Sequence, residues 1–163
     1  MAIDALSPID GRYESKINEL KDCFSEAALI KARIRVEIEW FRAMSYEPGI
    51  PEIRTFTDEE NSFLGSILSD FNLDDAQAVK AIESTTNHDV KAIEYFLKEK
   101  LKDTSLAEFI EFIHFACTSE DINNLSHAIM LKDGIAVVKP VQEEVIAFLK
   151  NFAQENKSVA MLS

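Results

Sequence analysis

From Ser25 to about Met44 the chain repeats apolar residues at helical spacing. Ile30, Ile34, Ile38 and Phe41 fall on one face, with Lys31, Arg35 and Glu39 off it. Ile34 to Trp40 also alternates apolar and polar residues as a strand would. Length decides for a helix, because the pattern runs on without turn chemistry. With 4 Gly and 4 Pro in 163 residues, the rest of the chain is poor in the turns that an all-β or loop-rich protein needs. An all-α fold is expected, and the length suits one globular domain or one domain with part of another.

Residues 1–15 read as an extended arm, because Pro8 and Gly11 make a regular element unfavourable there. Ser25 suits the N-cap of the long helix, the Trp40–Phe41 pair reads as core, and Pro48-Gly49-Ile50-Pro51 is a loop. Thr57 with Glu60 forms a capping box opening a helix toward Ser69, and Asp74 with Gln77 reads as another opening a helix to about Glu83. A further helix is expected from Asp89 to about Lys102, with Val90, Ile93, Phe96, Leu97 and Leu101 on its apolar side. After a short apolar segment, Leu106 to Ala116, Thr118 with Asp121 opens a helix to about Asp133. Lys139-Pro140 then interrupts the pattern. Val141, Val145, Phe148, Leu149 and Phe152 mark one stripe of a last helix, and Pro140 suits its first turn or a kink in a continuous one. The chain closes on the apolar stretch Ser158 to Ser163 with no closing element, which suggests truncation.

Charge and cysteine content exclude several classes. The formal net charge is -12, from 29 acids and 17 bases. Nucleic acid is not expected as a partner, since counterion release needs clustered Lys and Arg, and neither is an anionic membrane. Cys23 and Cys117 form no CxxC pair and no metal-like spacing, which fits a reduced, cytoplasmic setting. Met1-Ala2-Ile3-Asp4 begins no signal peptide, and no run of about 18 apolar residues suits a membrane span. The three histidines lack the i, i+4 spacing of a helical zinc pair, so no metal is expected, and no cofactor either.

Two polar knots carry the functional reading. The first is Thr85-Thr86-Asn87-His88-Asp89, running into Val90-Lys91-Ala92; the second is Cys117-Thr118-Ser119-Glu120-Asp121, then Ile122-Asn123-Asn124. Hydroxyl, amide, imidazole and carboxylate groups in this density are poor solvating filler, and they suit gripping a small polar ligand. Both precede helices, whose first turns leave N–H groups unpaired and attract anions. Capping alone is the competing explanation for Thr118 and Ser119, and for Asn87 or Asp89 with His88 as bystander. His88 offers an imidazole for proton transfer or for hydrogen bonding to an anion. Asp89 can orient that ring or accept from a sugar hydroxyl. His114, inside Phe109 to Phe115, reads as a hydrogen-bonded core histidine, and His127 as a structural residue. Arg12, with Tyr13 after Asp10-Gly11, can hold phosphate bidentately.

Taken together, three segments resemble the N-terminal part of the adenylosuccinate lyase family of the fumarase/aspartase superfamily. They are Ser7 to Tyr13, Thr85 to Ala92 with Glu94-Tyr95-Phe96-Leu97, and Glu111 to Asn124. The resemblance implies an N-terminal helical domain over residues 1–110, followed at 111–163 by the first long helices of a central bundle. It implies β-elimination of adenylosuccinate to AMP and fumarate, and fumarate release from the succinylocarboxamide purine intermediate. Arg12 and Tyr13 would contact the nucleotide near its phosphate. Asn87, His88 and Asp89 would line the substrate pocket, and Thr118 and Ser119 would bind the succinyl or fumarate part. His88 would act first as a binding and electrostatic group and second as an assisting acid. The principal acid and base of the family are expected beyond Ser163, so this chain alone is expected to be inactive. The family's homotetramer implies partner helices, hence exposed apolar stripes on the last helices here and a tendency to self-associate.

Two other readings stand beside it. One is a different lyase of the same superfamily, acting on argininosuccinate, aspartate or malate. The other is a non-catalytic helical interaction module, which the acidic surface would permit.

Overall fold

The computed structural model describes residues 4–160 and 162, so the expectations about Met1-Ala2-Ile3, and about Met161 and Ser163 at the closing stretch, lie outside the described residues. It contains six α-helices: α1 Asn18–Phe24, α2 Glu26–Ser45, α3 Asp58–Ser69, α4 Leu73–Thr86, α5 Asp89–Leu101 and α6 Ser119–Asn156. Short 3-10 helices at Glu14–Lys16 and Ala107–Phe112 complete it, and no strand occurs among the described residues. None of its helices is long and apolar enough to cross a membrane, among the described residues.

Helix α2 is the central post. Ile30, Ile34, Ile38 and Phe41 are all buried, while Lys31, Arg35 and Glu39 stay exposed, as their spacing requires. The stripe packs into one cluster with Leu64 and Ile67 of α3, Ala76 and Val79 of α4, Ile93 and Leu97 of α5, and Phe109 of the second 3-10 helix. The Phe41 ring packs tilted against Phe56 at 4.7 Å between centroids, and Phe56 tilted against Phe109 at 6.1 Å. Each large side chain buried in this way contributes roughly 1.5–3 kcal/mol. A smaller cluster, Val36, Val90 and Ile122, joins α2 to the first turns of α5 and α6. It lies directly beneath both polar knots.

Caps set most of the helix starts. Ser25 Oγ accepts from the Ala28 N–H at 3.2 Å. Thr57 and Glu60 form the expected reciprocal box. The Glu60 carboxylate also takes a two-pronged bond from Arg54, at 2.7 Å on each oxygen, and one from Ser105 Oγ.

Several expectations are corrected. The first segment is no extended arm. Gly11 N–H bonds to Ser7 O and Tyr13 N–H to Pro8 O, so residues 7–13 coil into successive turns ahead of the first 3-10 helix. The box opening α4 is Asn72 with Asp75, not Asp74 with Gln77, because the Asn72 amide oxygen already accepts from the Asp74 and Asp75 N–H groups. Helix α4 runs past Glu83 to Thr86, so Thr85 and Thr86 are helical. Trp40 is 37% exposed rather than core, its indole N–H bonded to Phe115 O at 2.8 Å.

Helix α6 does not end near Asp133. It continues through Pro140 to Asn156: the proline costs one backbone hydrogen bond and crowds the carbonyl four residues back, but the helical pattern on both sides carries the helix through it. Its first half is anchored: Ile122 and Ser126 are buried, and Gly134 lies against the Phe24 ring of α1. A Cβ at Gly134 would sit 2.2 Å from Phe24 Cζ, so the absent side chain is what lets the ring lie there. The second half is bare, with residues 138–156 all exposed. An apolar stripe begins before the midpoint and runs through it: Leu131, Ile135, Val138, Val145, Leu149 and Phe152 are all exposed, at intervals of three, four and seven. Such spacing is that of a seam between packed helices. The exposed apolar stripe expected on the last helices is therefore present.

Candidate functional site

The two knots are the N-termini of α5 and α6, held above the small Val36–Val90–Ile122 cluster. In the first, Asn87 ends α4 in the left-handed conformation, φ 50 and ψ 33, which Asn tolerates better than most residues. Its own N–H closes on Glu83 O, and its exposed side-chain amide makes no hydrogen bond among the described residues. Thr86 Oγ1 ties the turn by accepting from the His88 N–H and donating to His88 O.

His88 is itself the N-cap of α5. Its Nδ1 accepts from the Lys91 N–H at 3.1 Å. The cap is thus the residue read as a possible bystander, not Asn87 or Asp89. An Nδ1 that accepts carries no proton, so the neutral ring holds its hydrogen on Nε2. The 3.8 Å separation between Nδ1 and Asp89 Oδ1 is for the same reason no ion pair. The side chain is 51% exposed, which leaves Nε2 free for a ligand.

Asp89 is more constrained than its sequence context suggests. Oδ1 accepts from the Val90 N–H at 2.9 Å and Oδ2 from Arg33 Nη2 at 2.5 Å. Partial burial pushes its carboxyl upward, but the Val90 N–H and the Arg33 guanidinium outweigh this and hold it below the ordinary range.

In the second knot, Asp121 Oδ2 accepts from both the N–H and the hydroxyl of Thr118, at 2.7 and 2.8 Å. The Thr118 N–H, then its hydroxyl, holds the Asp121 carboxyl low. The Thr118 hydroxyl proton is therefore committed inside the cap. Ser119, half-buried at the first helical position, has no side-chain partner among the described residues and keeps its hydroxyl available.

Arg33 joins the knots. Its Nε donates to Asn123 Oδ1 at 2.9 Å while Nη2 reaches Asp89, so one buried side chain of α2 spans both helix starts. One turn on, Glu37 is fully buried and its Oε1 lies 2.6 Å from His114 Nδ1. Burial raises the Glu37 carboxyl above its ordinary range, with His114 pulling the other way, and Oε2 has no partner. His114 is hydrogen-bonded as expected. It also sits at φ 63, with Ala116 at φ 59, and two left-handed non-glycine residues two positions apart mark a strained entry to Thr118.

The sequence reading missed Arg33 and Glu37. The available signal was two opposite charges on the apolar stripe of α2, beside Ile34 and Ile38. Arg12 and Tyr13 are not brought to the knots by any hydrogen bond or ion pair among the described residues. Both are exposed, with the guanidinium 6.0 Å from the Tyr13 ring. His127 is exposed on α6. A groove of about 610 Å³ runs between α2 and α6, lined by Trp40, Cys117, Asp121 and Leu125 among others; His88, Asp89 and Thr118 do not line it.

Known proteins resemble the chain along nearly its whole length. It is 47% identical to an adenylosuccinate lyase of Haemophilus influenzae over 163 residues, 49% to one of Vibrio cholerae and 44% to one of Escherichia coli K12. Each alignment covers 99% of this chain and 36% of the relative, so the chain spans about a third of the length of these proteins. The sequence model of the lyase family matches residues 11–163, and the chain belongs to that family.

Proposed function

We propose that this chain supplies the N-terminal part of a lyase that cleaves adenylosuccinate to AMP and fumarate, and releases fumarate from the succinylocarboxamide purine intermediate. The observation that carries this reading is the pairing of two capped helix starts by Arg33, in a chain 44–49% identical to adenylosuccinate lyases. In β-elimination a base removes a proton beside a succinyl carboxylate. Negative charge builds as an aci-carboxylate, and the C–N bond breaks as the leaving nitrogen is protonated. Preorganised N–H and O–H donors at the developing charge lower that barrier. The free Ser119 hydroxyl and the first turn of α6 suit the succinyl carboxylates, with Thr118 shaping that turn. His88 Nε2–H and the Asn87 amide suit the polar face of the nucleotide, and Asp89 holds its place beside them. Arg12 and Tyr13 are assigned to the phosphate.

The principal acid and base lie outside these residues in this reading, so the 163-residue chain alone is inactive. The working enzyme is a cytoplasmic homotetramer, and the bare stripe of α6 is the face its partner helices cover. A division near residue 110 separates the N-terminal domain from this bundle. It is supported by the main apolar cluster, which closes at Ile113 before α6 begins.

Fumarate release tests the proposal, with the full-length lyase and the 163-residue chain each offered adenylosuccinate, argininosuccinate, aspartate and malate. Turnover of adenylosuccinate by the full-length protein alone is expected. Preference for another substrate, or turnover by the short chain, contradicts it.

A further inference from the structure

We propose that Arg33 is a positioning residue that locks the spacing and orientation of the two substrate-binding helix starts. This rests on the functional reading above for its consequence, though not for its geometry. Arg33 is buried, 6% exposed, on a helix whose neighbouring turns are Ile30, Ile34 and Ile38. Stability alone gives no reason for a charge there. Replacing a buried ion pair with apolar side chains of similar volume is often neutral or stabilising. What an apolar side chain cannot do is make two directed bonds. The planar guanidinium donates from Nε to Asn123 on α6 and from Nη2 to Asp89 on α5. A lysine, with one nitrogen and no fork, cannot reproduce both.

The consequence reaches the ligand groups directly. Asp89 is pinned on both oxygens, by Arg33 and by the Val90 N–H, and it follows His88 in the chain. His88 in turn is fixed by the Lys91 N–H. A shift of Arg33 therefore moves the imidazole relative to Thr118 and Ser119. A misplacement of about 1 Å at a reacting centre can cost roughly 100-fold in rate.

Two arms test the lock. The first uses the 163-residue chain and needs no activity. Asn123→Ala removes the α6 prong without touching the first knot. Hydrogen exchange at the Val90 and Lys91 amides, which bond to Asp89 and His88, should quicken about tenfold while the rest of α5 keeps its protection. Changes confined to α6 would overturn the lock. The second arm uses the full-length lyase with Arg33→Met and Arg33→Lys. The Met variant should lose about 100-fold in kcat/KM, shared between kcat and KM, and Lys should recover about tenfold, with all three proteins folded at the assay temperature. Wild-type kinetics in a folded Arg33→Met protein would also overturn it. If Arg33→Met does not fold, the Lys variant and the exchange arm decide. If the wild-type full-length protein releases no fumarate, the functional reading fails and the exchange arm alone judges the lock.

Discussion

His88 has two ring nitrogens, and the fold occupies one of them. With Nδ1 accepting from Lys91, capping and ligand binding are no longer rival explanations, because they use different atoms. His88→Asn separates them: asparagine is a good N-cap but lacks the Nε2–H. Its stability in thermal melts should stay within about 0.5 kcal/mol of wild type, whereas His88→Ala should lose about 1 kcal/mol. A second residue-level prediction concerns Glu60. Arg54 draws its carboxyl down from 4.5 to about 2, helped by Ser105 and the Thr57 N–H. A depressed carboxylate stabilises the fold in full above the unfolded value of 4.5, and that stability is lost as the pH falls through about 2. Glu60→Gln should thus cost on the order of 2 kcal/mol at pH 7 and progressively less near pH 2, read from urea melts at both. The Glu60 box was legible as a local pattern. The Arg33 and Glu37 contacts were not, since their partners lie 56 to 90 residues away along the chain. A charge inside an apolar stripe announces that a partner exists without saying which.

At the scale of elements, structure that depends on neighbouring residues is legible in the sequence. The apolar stripes of α2 and α5 and the caps at Ser25, Thr57 and Thr118 stand where their spacing puts them, because each depends on residues within one or two turns. Competing local signals are harder to resolve. Asn72 and Asp74 both suit an N-cap, and Asn72 wins because its oxygen reaches two N–H groups. Pro140 suits a helix start or a tolerated interruption, and the choice is a property of the whole 38-residue α6. Beyond Pro140 that helix has no packing partner among the described residues, and an isolated helical segment of about 15 residues is marginal in water. In dilute solution the amides of residues 141–156 should exchange orders of magnitude faster than those of 122–134, and gain protection as concentration rises. Uniform protection of α6 at low concentration would contradict this.

For the whole molecule, the picture is one well-packed helical body with a bare helix leaving it. The net charge of -12 opposes association, while the stripe from Leu131 to Phe152 favours it. Salt screens the first and leaves the second, so sedimentation should show larger species at 0.5 M than at 0.05 M salt; a monomer at both would count against the stripe as an interface. The inactivity proposed for the chain alone follows from this face if the remaining catalytic groups arrive with the helices that cover it. The central claim is that the two helix starts hold a small anionic substrate for elimination, and one comparison tests it most directly. The kcat/KM for fumarate release from adenylosuccinate is measured for the full-length lyase and its His88→Asn variant, both confirmed folded. A loss of about 100-fold or more is predicted, the range for removing a positioned donor or acid. Elimination at the wild-type rate would contradict the account.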